Sequence, residues 1–358
     1  MEKRLLLITL ILLVFGLIVL SSAGIVEGQK KFGSPYYYLQ KQLLYGVLPG
    51  LLLFFLFSRI DYRFWKKISL LVLFVSLVLM ILVFVPDIGI GLKGANRWIS
   101  LGGWSFQPAE ILKLTLVIYL ASWFGGRDER IKNWSYSVAP FFIVLSFAGL
   151  LLAMQPDVGT LAVVVLTALG VYFAAGSSLK HLFVVVAIFL VAVAGLIFVE
   201  PYRFNRIKTF IHPSEDPRGI SYQLNQSLIA IGSGGLFGNG FGESTQKFGF
   251  LPEVVNDSIF AVLVEELGFA GAAVFIGMLV FLSYNFVIIA KNTPDKFGYL
   301  LVMGMNTWII GQAFINISAV SGLLPLTGIP LPFVSHGGTA IMALLAGLGI
   351  VSNVAKRV

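Results

Sequence analysis

Long apolar runs recur along almost the whole chain, and they constrain its fold more than any other feature of the sequence. A run of about 20 predominantly apolar residues is what an α-helix needs to cross the hydrocarbon core of a bilayer. Ten such segments fall near residues 5–26, 43–58, 68–86, 108–124, 138–154, 157–175, 180–199, 259–290, 298–324 and 337–355. The sequence therefore predicts an all-α polytopic membrane protein with about ten transmembrane helices, folded as a single integral-membrane domain over residues 1–358.

Composition supports this class and excludes others. The chain is 58% hydrophobic and only 12% charged, whereas a soluble domain is about 45–50% apolar and about 25% charged. It contains no cysteine, which excludes disulfides, Cys-ligated zinc and a thiol nucleophile. We interpret the net charge of +8 as a signal of membrane topology, because Lys and Arg concentrate in cytoplasmic loops. No nucleic-acid partner is expected.

The distribution of Lys and Arg predicts the orientation. If the N-terminus is cytoplasmic, the short inner loops and the C-terminal tail carry more cations than the short outer loops. The inner set is Arg59, Arg63, Lys66, Lys67, Arg127, Arg130, Lys132, Lys180, Lys291, Lys296, Lys356 and Arg357, and the outer set is Lys30, Lys31, Lys41, Lys93 and Arg97. We therefore expect a multi-pass protein of the cytoplasmic (inner) membrane with both termini cytoplasmic and the first apolar segment retained as an anchor. A large extracytoplasmic loop of about residues 200–258 then lies between spans 7 and 8.

Two stretches interrupt the helical pattern on the outer side. Residues 86–110 mix Gly, Pro, Trp and charge, and residues 321–339 contain three Pro residues and four Gly residues. Proline cannot donate to a helix ladder, so irregular backbone is expected in both. At membrane depth such backbone is tolerated where it is buried in protein or lines a wet cavity. The two stretches are therefore candidate walls of a site.

Charged residues inside apolar segments are the next signal, because they cost several kcal/mol unless paired or hydrated. Glu110 and Lys113 are three residues apart, which puts them on one helix face where they can pair. Both a structural ion pair and a substrate-facing role remain open for them. Asp157 follows a proline between the fifth and sixth segments, where an N-cap of the sixth helix is its plain interpretation.

Four carboxylates crowd the stretch FLPEVVNDSIFAVLVEELG, residues 250–268: Glu253, Asp257, Glu265 and Glu266. Asn256, Asp257 or Ser258 could cap the following helix, and a cap at a membrane mouth could also be catalytic. Glu265 lies about 80° around the helix from Asp257 and could face the same cavity, whereas Glu266 points nearly opposite. The four acids therefore cannot all serve one site.

The outer loop before these acids is rich in cations and glycines. Arg203, Arg206 and Lys208 could attract lipid headgroups or hold a diphosphate, which the planar guanidinium suits. The glycines between residues 232 and 242 spell neither GxGxxG nor a P-loop, so no nucleotide or organic cofactor is expected. A helix over QLNQSLIAI that ends in a glycine-rich turn is the structural alternative. For His336, in VSHGG, a packing or hydrogen-bonding role is favoured over proton transfer or metal ligation.

Five stretches in order resemble one family. They are GANRWISLGGWSFQPAEILKL (94–114), QPDVGT (155–160), DPRGISYQLNQSLIAIGSGGLFGNGFG (216–242), FLPEVVNDSIFAVLVEELGFAG (250–271) and GLLPLTGIPLPFVSHGG (322–338). Together they resemble the SEDS proteins, the shape, elongation, division and sporulation glycosyltransferases that include FtsW and RodA. ESTQKFGFLPE and the stretch that ends in VSHGG are more similar to the cell-division FtsW branch.

The resemblance implies an activity and partners. Family members polymerise lipid II at the outer face of the cytoplasmic membrane, moving a lipid-linked glycan onto the 4-hydroxyl of an incoming GlcNAc. Undecaprenyl diphosphate leaves, and the configuration inverts to a β-1,4 linkage. The family works with a class B penicillin-binding protein and with other membrane proteins of the cell-division or cell-elongation machinery. A divalent cation, Mg²⁺ or Mn²⁺, is often favoured.

The resemblance also implies site residues. The family's essential aspartate falls on Asp257, which suits the general base that an inverting displacement needs. By their charge, the candidates for stabilising the leaving diphosphate are Lys113, Arg97, Arg203 and Arg206, with Glu110 as a candidate partner of Lys113. Supporting positions are Asp157, Glu253, Glu265, Ser335 and His336. The chain departs from the family at Val255-Asn256, where His-Thr is common, at Ser258, where an aromatic residue is usual, and at His336, where Tyr is usual.

Two other functions fit the same membrane bundle. A flippase or other transporter of lipid-linked oligosaccharides would explain the intramembrane charges and the broken helices, but would not need Asp257 for bond formation. A non-enzymatic scaffold that recruits division proteins would make the acids structural.

Overall fold

A bundle of helices, with a small sheet at its outer end, makes up the part of the protein that the structure describes. The structure is a computed structural model that describes residues 1–92, 95–102, 104–126, 134–199, 208, 210–211, 219 and 221–358. The helices in these residues are α1 (Glu2–Ala23), α2 (Ile25–Phe32), α3 (Tyr37–Gln42), α4 (Leu48–Arg59), α5 (Tyr62–Leu82), α6 (Pro108–Phe124), α7 (Trp134–Met154), α8 (Val158–Ala174), α9 (Leu179–Val199), α10 (Tyr222–Ser233), α11 (Ile259–Asn292), α12 (Lys296–Val320) and α13 (Gly338–Ala355). A π-helical turn, Leu43–Val47, joins α3 to α4, and a 3₁₀ turn spans Gln246–Phe248.

The ten predicted apolar segments each coincide with a helix of the described chain. The largest shifts are at the second and third segments, which begin at Tyr37 and Tyr62 rather than near residues 43 and 68. Within the described residues, six helical stretches are long and apolar enough to cross a membrane: α1, Tyr37–Arg59, α5, α11, α12 and α13. The polytopic class is therefore confirmed, while the count of ten spans stays a prediction.

The centre of the bundle is formed by helices that are buried on all sides. In its most apolar stretch α13 has 83% of its residues buried, whereas α5 has 28%. Helix α6 is buried along almost its whole length, including Glu110 and Lys113. A helix that is covered all round belongs to the interior, and one with an exposed apolar face suits contact with lipid. The predicted charged pair therefore lies in the protein core.

Both chain ends meet at one end of the bundle. The ammonium of Lys356 lies 3.4 Å from Glu2, and the guanidinium of Arg357 lies 3.0 Å from Asp61 at the start of α5. These contacts agree with the prediction that both termini lie on the same side of the membrane. The opposite end, which we call the outer end, holds the non-helical segment 321–337 and the start of α13.

A three-stranded antiparallel sheet occupies the stretch where irregular backbone was expected. Its strands are β1 (Gly89–Leu92), β2 (Ala95–Leu101) and β3 (Trp104–Phe106), in the order β1-β2-β3. The expectation for residues 86–110 was wrong because Gly and Trp interrupt the period-2 pattern, yet the chain still pairs with itself. Immediately after β3, the backbone N–H of Gln107 donates to the hydroxyl of Thr339 at 3.1 Å. The sheet thereby lies beside the start of α13.

Helix α11 is broken at Gly268, which has φ +67° and ψ −171°. The break leaves backbone groups that the outer loop satisfies. The N–H groups of Phe269 and Ala270 donate to the carbonyls of residues 235 and 236, at 2.9 and 3.0 Å. Residues 239 and 240 donate in turn to the carbonyls of residues 265 and 266, at 3.0 and 3.1 Å. The outer part of α11, residues 259–267, is thus a half-helix held by the loop.

Candidate active site

Asp257 lies in the turn that leads from the outer loop into α11. Asp257 is 8% exposed, and the side-chain amide nitrogen of Gln223 on α10 donates to its Oδ2 at 3.3 Å. The same nitrogen reaches the hydroxyl of Ser258 at 3.1 Å. On the other side, Asn316 Nδ2 of α12 donates to the backbone carbonyl of Asp257 at 2.9 Å. The carboxylate is therefore positioned where α10, α11 and α12 meet.

The residue at the N-cap of α11 is Ser258. Its own side chain makes no capping hydrogen bond. Of the three residues that the sequence allowed as the cap, the structure thus selects Ser258. Asp257 is one residue earlier, in the turn that leads into the helix.

The turn before α11 is shaped by Glu253. This residue has a left-handed backbone with φ +56°, and its carbonyl accepts from the N–H groups of Asn256 and Ser258 at 3.0 and 3.3 Å. The side-chain amide of Asn256 also donates to the Glu253 carboxylate at 2.7 Å. Glu253 therefore holds the conformation of the turn that presents Asp257.

The VSHGG segment packs directly against this turn. Ser335 Oγ donates to the carbonyl of Asn256 at 2.6 Å, and the backbone N–H of His336 donates to the carbonyl of Val255 at 2.8 Å. The imidazole of His336 contacts the ring of Tyr38 edge-on, with centroids 5.1 Å apart. Burial lowers the pKa of His336 to about 4, so the ring is neutral near pH 7. A packing role agrees with these contacts.

Lys113 and Glu110 form the ion pair that their spacing predicted. The Lys113 ammonium lies 2.8 Å from Glu110, and the two side chains are 2% and 3% exposed. The Lys113 ammonium also donates to Gln312 Oε1 at 2.7 Å and lies 5.4 Å from the centroid of the Trp308 ring. Each charge is therefore paired, as a buried ion pair requires.

A small cavity of about 20 Å³ adjoins this pair, lined among others by Glu110, Gln312, Pro330 and Ser335. Its size is enough for about one water molecule. Gln312 and Asn316 are four residues apart on α12, so they lie one turn, about 6 Å, from each other along one helix face. Lys113, beside Gln312, is thus about one helical turn deeper than Asp257, beside Asn316.

Arg97 and Asp157 meet at the turn before α8. The Arg97 guanidinium donates to the carbonyl of Gln155 at 2.9 Å and to the carbonyl of Pro156. Asp157 caps α8 by accepting from the backbone N–H and the hydroxyl of Thr160, at 3.1 and 2.9 Å. The plain interpretation of Asp157 is therefore confirmed, and the described contacts of Arg97 fasten β2 to this turn.

Glu265 and Glu266 both hold the outer loop. Glu265 accepts from the hydroxyl of Ser244 and from the N–H and hydroxyl of Thr245 at 2.9 and 2.8 Å. Glu266 accepts from the ammonium of Lys247 at 2.8 Å. The structure places neither carboxylate beside Asp257, so these two acids act on the loop.

Two predicted diphosphate ligands, Arg203 and Arg206, lie outside the described residues. Among the residues that the structure does describe, no group of three or more His, Asp and Glu side chains converges on one point. Mg²⁺ is commonly held by one or two carboxylates together with substrate phosphates.

Three amides at the site were missed from the sequence: Gln223, Gln312 and Asn316. The last two lie within an apolar segment, and polar residues there signal a function or a partner. Gln312 Nε2 donates to the carbonyl of Pro330 at 2.8 Å, and Asn316 Nδ2 donates to the carbonyl of Ile329 at 2.8 Å. These amides satisfy the irregular backbone of segment 321–337.

The fold and this polar junction define a multi-pass integral membrane protein with a site at the outer end of its bundle. Over residues 3–358 the chain matches the FtsW/RodA/SpoVE family, described as cell cycle proteins, and it belongs to that family. It is similar to stage V sporulation protein E of Bacillus subtilis (strain 168), with 37% identity over 355 residues that cover 99% of this chain and 97% of that protein.

Two further comparisons agree with this family. A probable peptidoglycan glycosyltransferase FtsW of Trichlorobacter lovleyi is 38% identical over 350 residues, covering 98% of this chain and 92% of that protein. A solved structure of a peptidoglycan synthase complex, which coordinates polymerization and crosslinking, contains a chain of similar fold. The TM-score is 0.77 at 28% identity, with 96% of this chain and 97% of that chain covered.

Proposed function

We propose that this protein is a peptidoglycan glycosyltransferase that polymerises lipid II into β-1,4-linked glycan strands. The reaction takes place at the outer face of the cytoplasmic membrane and releases undecaprenyl diphosphate. The observation that carries the proposal is the position of Asp257, a buried residue at the junction of the outer loop and helix α11. Membership of the FtsW/RodA/SpoVE family supports the same activity.

Asp257 acts as the general base. The 4-hydroxyl oxygen of the incoming sugar attacks C1 of the lipid-linked glycan, and the bond from C1 to the diphosphate oxygen breaks with inversion. The proton of the hydroxyl passes to the Asp257 carboxylate, and the electron pair of the broken bond leaves with the diphosphate. Gln223 orients the carboxylate through the 3.3 Å hydrogen bond to Oδ2. A positioned base of this kind contributes about 10²–10⁴-fold to a rate.

The leaving diphosphate needs positive charge nearby. Arg203 and Arg206 are proposed as its direct ligands, together with Arg97 once the substrate is bound. Lys113 is paired with Glu110 and donates to Gln312, so its charge is neutralised and it fastens α6 to α12 about one helical turn below Asp257. In a site of low dielectric constant the arginines stabilise developing negative charge.

A divalent cation, Mg²⁺ or Mn²⁺, would share this neutralisation. The described residues hold no converging group of three or more His, Asp and Glu side chains, so the cation would be held mainly by the substrate diphosphate. When bound, the cation would supply electrostatic stabilisation of the leaving group. Polymerisation measured with EDTA and with added Mg²⁺ or Mn²⁺ tests this part of the proposal.

A class B penicillin-binding protein is the proposed partner. The related peptidoglycan synthase complex coordinates polymerization and crosslinking. In our proposal this chain carries out polymerisation, and the partner supplies the active site for crosslinking. The similarity to FtsW favours cell division over elongation. We place both termini in the cytoplasm, because Lys and Arg gather in the loops at that end of the bundle.

A flippase or a scaffold would use the same bundle without forming a glycosidic bond. The test is a reconstitution of the full chain with its penicillin-binding partner in vesicles that contain lipid II. Polymer length is read on gels, and lipid II translocation is read in the same vesicles by its accessibility to an external label. Polymer formation supports the glycosyltransferase, whereas translocation without polymer supports a flippase. If neither polymer nor translocation is detected although the partner is bound, the result supports a scaffold.

A further inference from the structure

Four rings form a continuous row from the outer surface to the Asp257 turn. Phe32 and Tyr37 stack with centroids 3.7 Å apart, and Tyr37 meets Tyr38 edge-on at 5.6 Å. Tyr38 in turn meets the imidazole of His336 at 5.1 Å. The backbone of His336 is hydrogen-bonded at 2.8 Å to the carbonyl of residue 255, two residues before Asp257. The row therefore leads to the proposed base.

The hairpin that carries these rings, residues 25–42, is fixed to both segments that flank Asp257. Gln42 Nε2 donates to the carbonyl of Ser335 at 3.2 Å, and the backbone N–H of Gly337 donates to Gln42 Oε1 at 2.9 Å. At the other side, Lys30 donates to the carbonyl of Phe248 at 3.0 Å. The row is thus held rigidly relative to the catalytic turn.

The outer end of the row is open. Phe32 is 49% exposed, and the adjoining Tyr36 is 53% exposed. Their surroundings are polar and cationic, with exposed Lys30 and Lys31 on α2 and Lys41 over the Tyr37 ring at 5.6 Å. Phe248, whose carbonyl accepts from Lys30, is exposed as well. Exposed aromatic rings bordered by lysines suit a ligand that has both an apolar face and polar groups.

A pyranose ring is such a ligand, because one of its faces presents C–H groups that pack on an aromatic ring while its edge carries hydroxyls. We propose that the hairpin 25–42 is a glycan-binding subsite, in which sugar rings of the polymer stack on Phe32 and Tyr36 at the outer end of the row that leads to the reaction centre. The inference rests on the proposed function and deepens it, since it names what holds the saccharide part of the substrate or product.

The test measures saccharide binding apart from catalysis. Purified full-length protein in detergent is titrated with a soluble, lipid-free tetramer of β-1,4-linked N-acetylglucosamine, and binding is read by saturation-transfer NMR and calorimetry. The Phe32→Ala/Tyr36→Ala variant is expected to bind at least about tenfold more weakly, the loss that removal of a good stacking contact produces. The Phe32→Trp/Tyr36→Ala variant keeps a ring at position 32. It is expected to bind the tetramer more tightly than Phe32→Ala/Tyr36→Ala does.

A matched control is Phe64→Ala at the opposite end of the bundle. Phe64 is 44% exposed and contacts one ring, Trp65, at 5.9 Å, so its loss should leave saccharide binding unchanged. Equal binding by the wild type and the double variant, or no binding by the wild type, overturns the subsite. A fall caused equally by Phe64→Ala also overturns it, because the effect would then report membrane anchoring or general stability.

The same titration separates this inference from the proposed function. Asp257→Asn is expected to bind the tetramer like the wild type while it forms no polymer from lipid II. If Asp257→Asn still polymerises but binding depends on Phe32 and Tyr36, the base assignment fails and the subsite stands. If the loss of Phe32 and Tyr36 leaves tetramer binding unchanged while polymerisation still requires Asp257, the subsite fails and the proposed function stands.

Discussion

The ammonium group of Lys247 lies 2.8 Å from the carboxylate of Glu266, and each side chain exposes only 2% of its surface. Lys247 also donates to the carbonyl of Gly242 at 2.6 Å, and Ser22 near the end of α1 donates to Glu266 at 2.6 Å. Glu266 precedes the break at Gly268 by two residues. The pair therefore fastens the outer loop to two spans at the point where α11 is discontinuous.

Breaking this pair from one side should destabilise the protein strongly. Lys247→Met leaves the Glu266 carboxylate buried without its cation, and we expect a loss of about 3–5 kcal/mol in the free energy of unfolding. The double variant Lys247→Met/Glu266→Gln removes both charges and should recover most of that loss. Thermal unfolding in detergent measures both.

The matched control for this pair is Lys31→Met. Lys31 pairs with Glu27 at the surface, where the lysine side chain is 61% exposed, so its loss should cost about 0.5 kcal/mol or less. Equal destabilisation by Lys247→Met and Lys31→Met would contradict the anchoring role of the buried pair.

The break in α11 requires glycine at position 268. A Cβ atom there would lie 2.3 Å from the backbone nitrogen of Gly238, and the backbone has φ +67°. Gly268→Ala should therefore lower the free energy of unfolding by more than about 2 kcal/mol, from strain and from displacement of the loop.

Gly277 provides the comparison within the same helix. Nothing lies within 4 Å of a Cβ atom placed there, so Gly277→Ala should stabilise the helix by about 0.5–1 kcal/mol. Unfolding midpoints of the two variants should thus move in opposite directions. A Gly268→Ala protein as stable as the wild type would show that the break is not needed.

His336 should make stability depend on pH. Burial lowers its pKa to about 4, an effect that the Glu27 carboxylate partly opposes. Between about pH 4 and the ordinary value of 6.5 the unfolded chain binds more protons at this residue than the folded protein does. The contribution is therefore fully present above pH 6.5 and is lost as the pH falls, by up to about 3 kcal/mol.

The measurement is the unfolding midpoint of the wild type and of His336→Gln from pH 7.5 to pH 4. The difference between their pH profiles isolates the histidine from the carboxylates that also titrate in this range. The wild type should lose stability more steeply than the variant as the pH falls from 6.5. Parallel profiles would contradict a neutral, buried imidazole.

The sequence predicted local relationships at the site correctly. The three-residue spacing of Glu110 and Lys113 predicted their pairing because residues three apart share a helix face. The position of Asp157 after a proline predicted an N-cap, and QLNQSLIAI predicted a helix, found as α10. Such features depend on a few neighbouring residues, so they can be derived without knowledge of the fold.

Contacts between distant parts of the chain could not be predicted in this way. The amide of Gln223 meets Asp257 across 34 residues, and Lys247 Nζ meets Ser22 across 225. Nothing in the local pattern states which loop will lie against which helix. The sheet after α5 was missed because its short strands are interrupted by glycines, and pairing rather than propensity stabilises them.

The central claim is that the Asp257 carboxylate accepts a proton during polymerisation. The most direct measurement is the initial rate of glycan synthesis from lipid II by the purified complex with the penicillin-binding partner. It compares the wild type, Asp257→Asn and Glu243→Gln, which removes an exposed carboxylate from the same outer loop. Unfolding midpoints and partner binding verify that each variant is folded.

We expect Glu243→Gln to retain the wild-type rate and Asp257→Asn to be slower by at least about 10²-fold, the contribution of a positioned general base. A folded Asp257→Asn complex that polymerises lipid II as fast as the wild type would contradict the account.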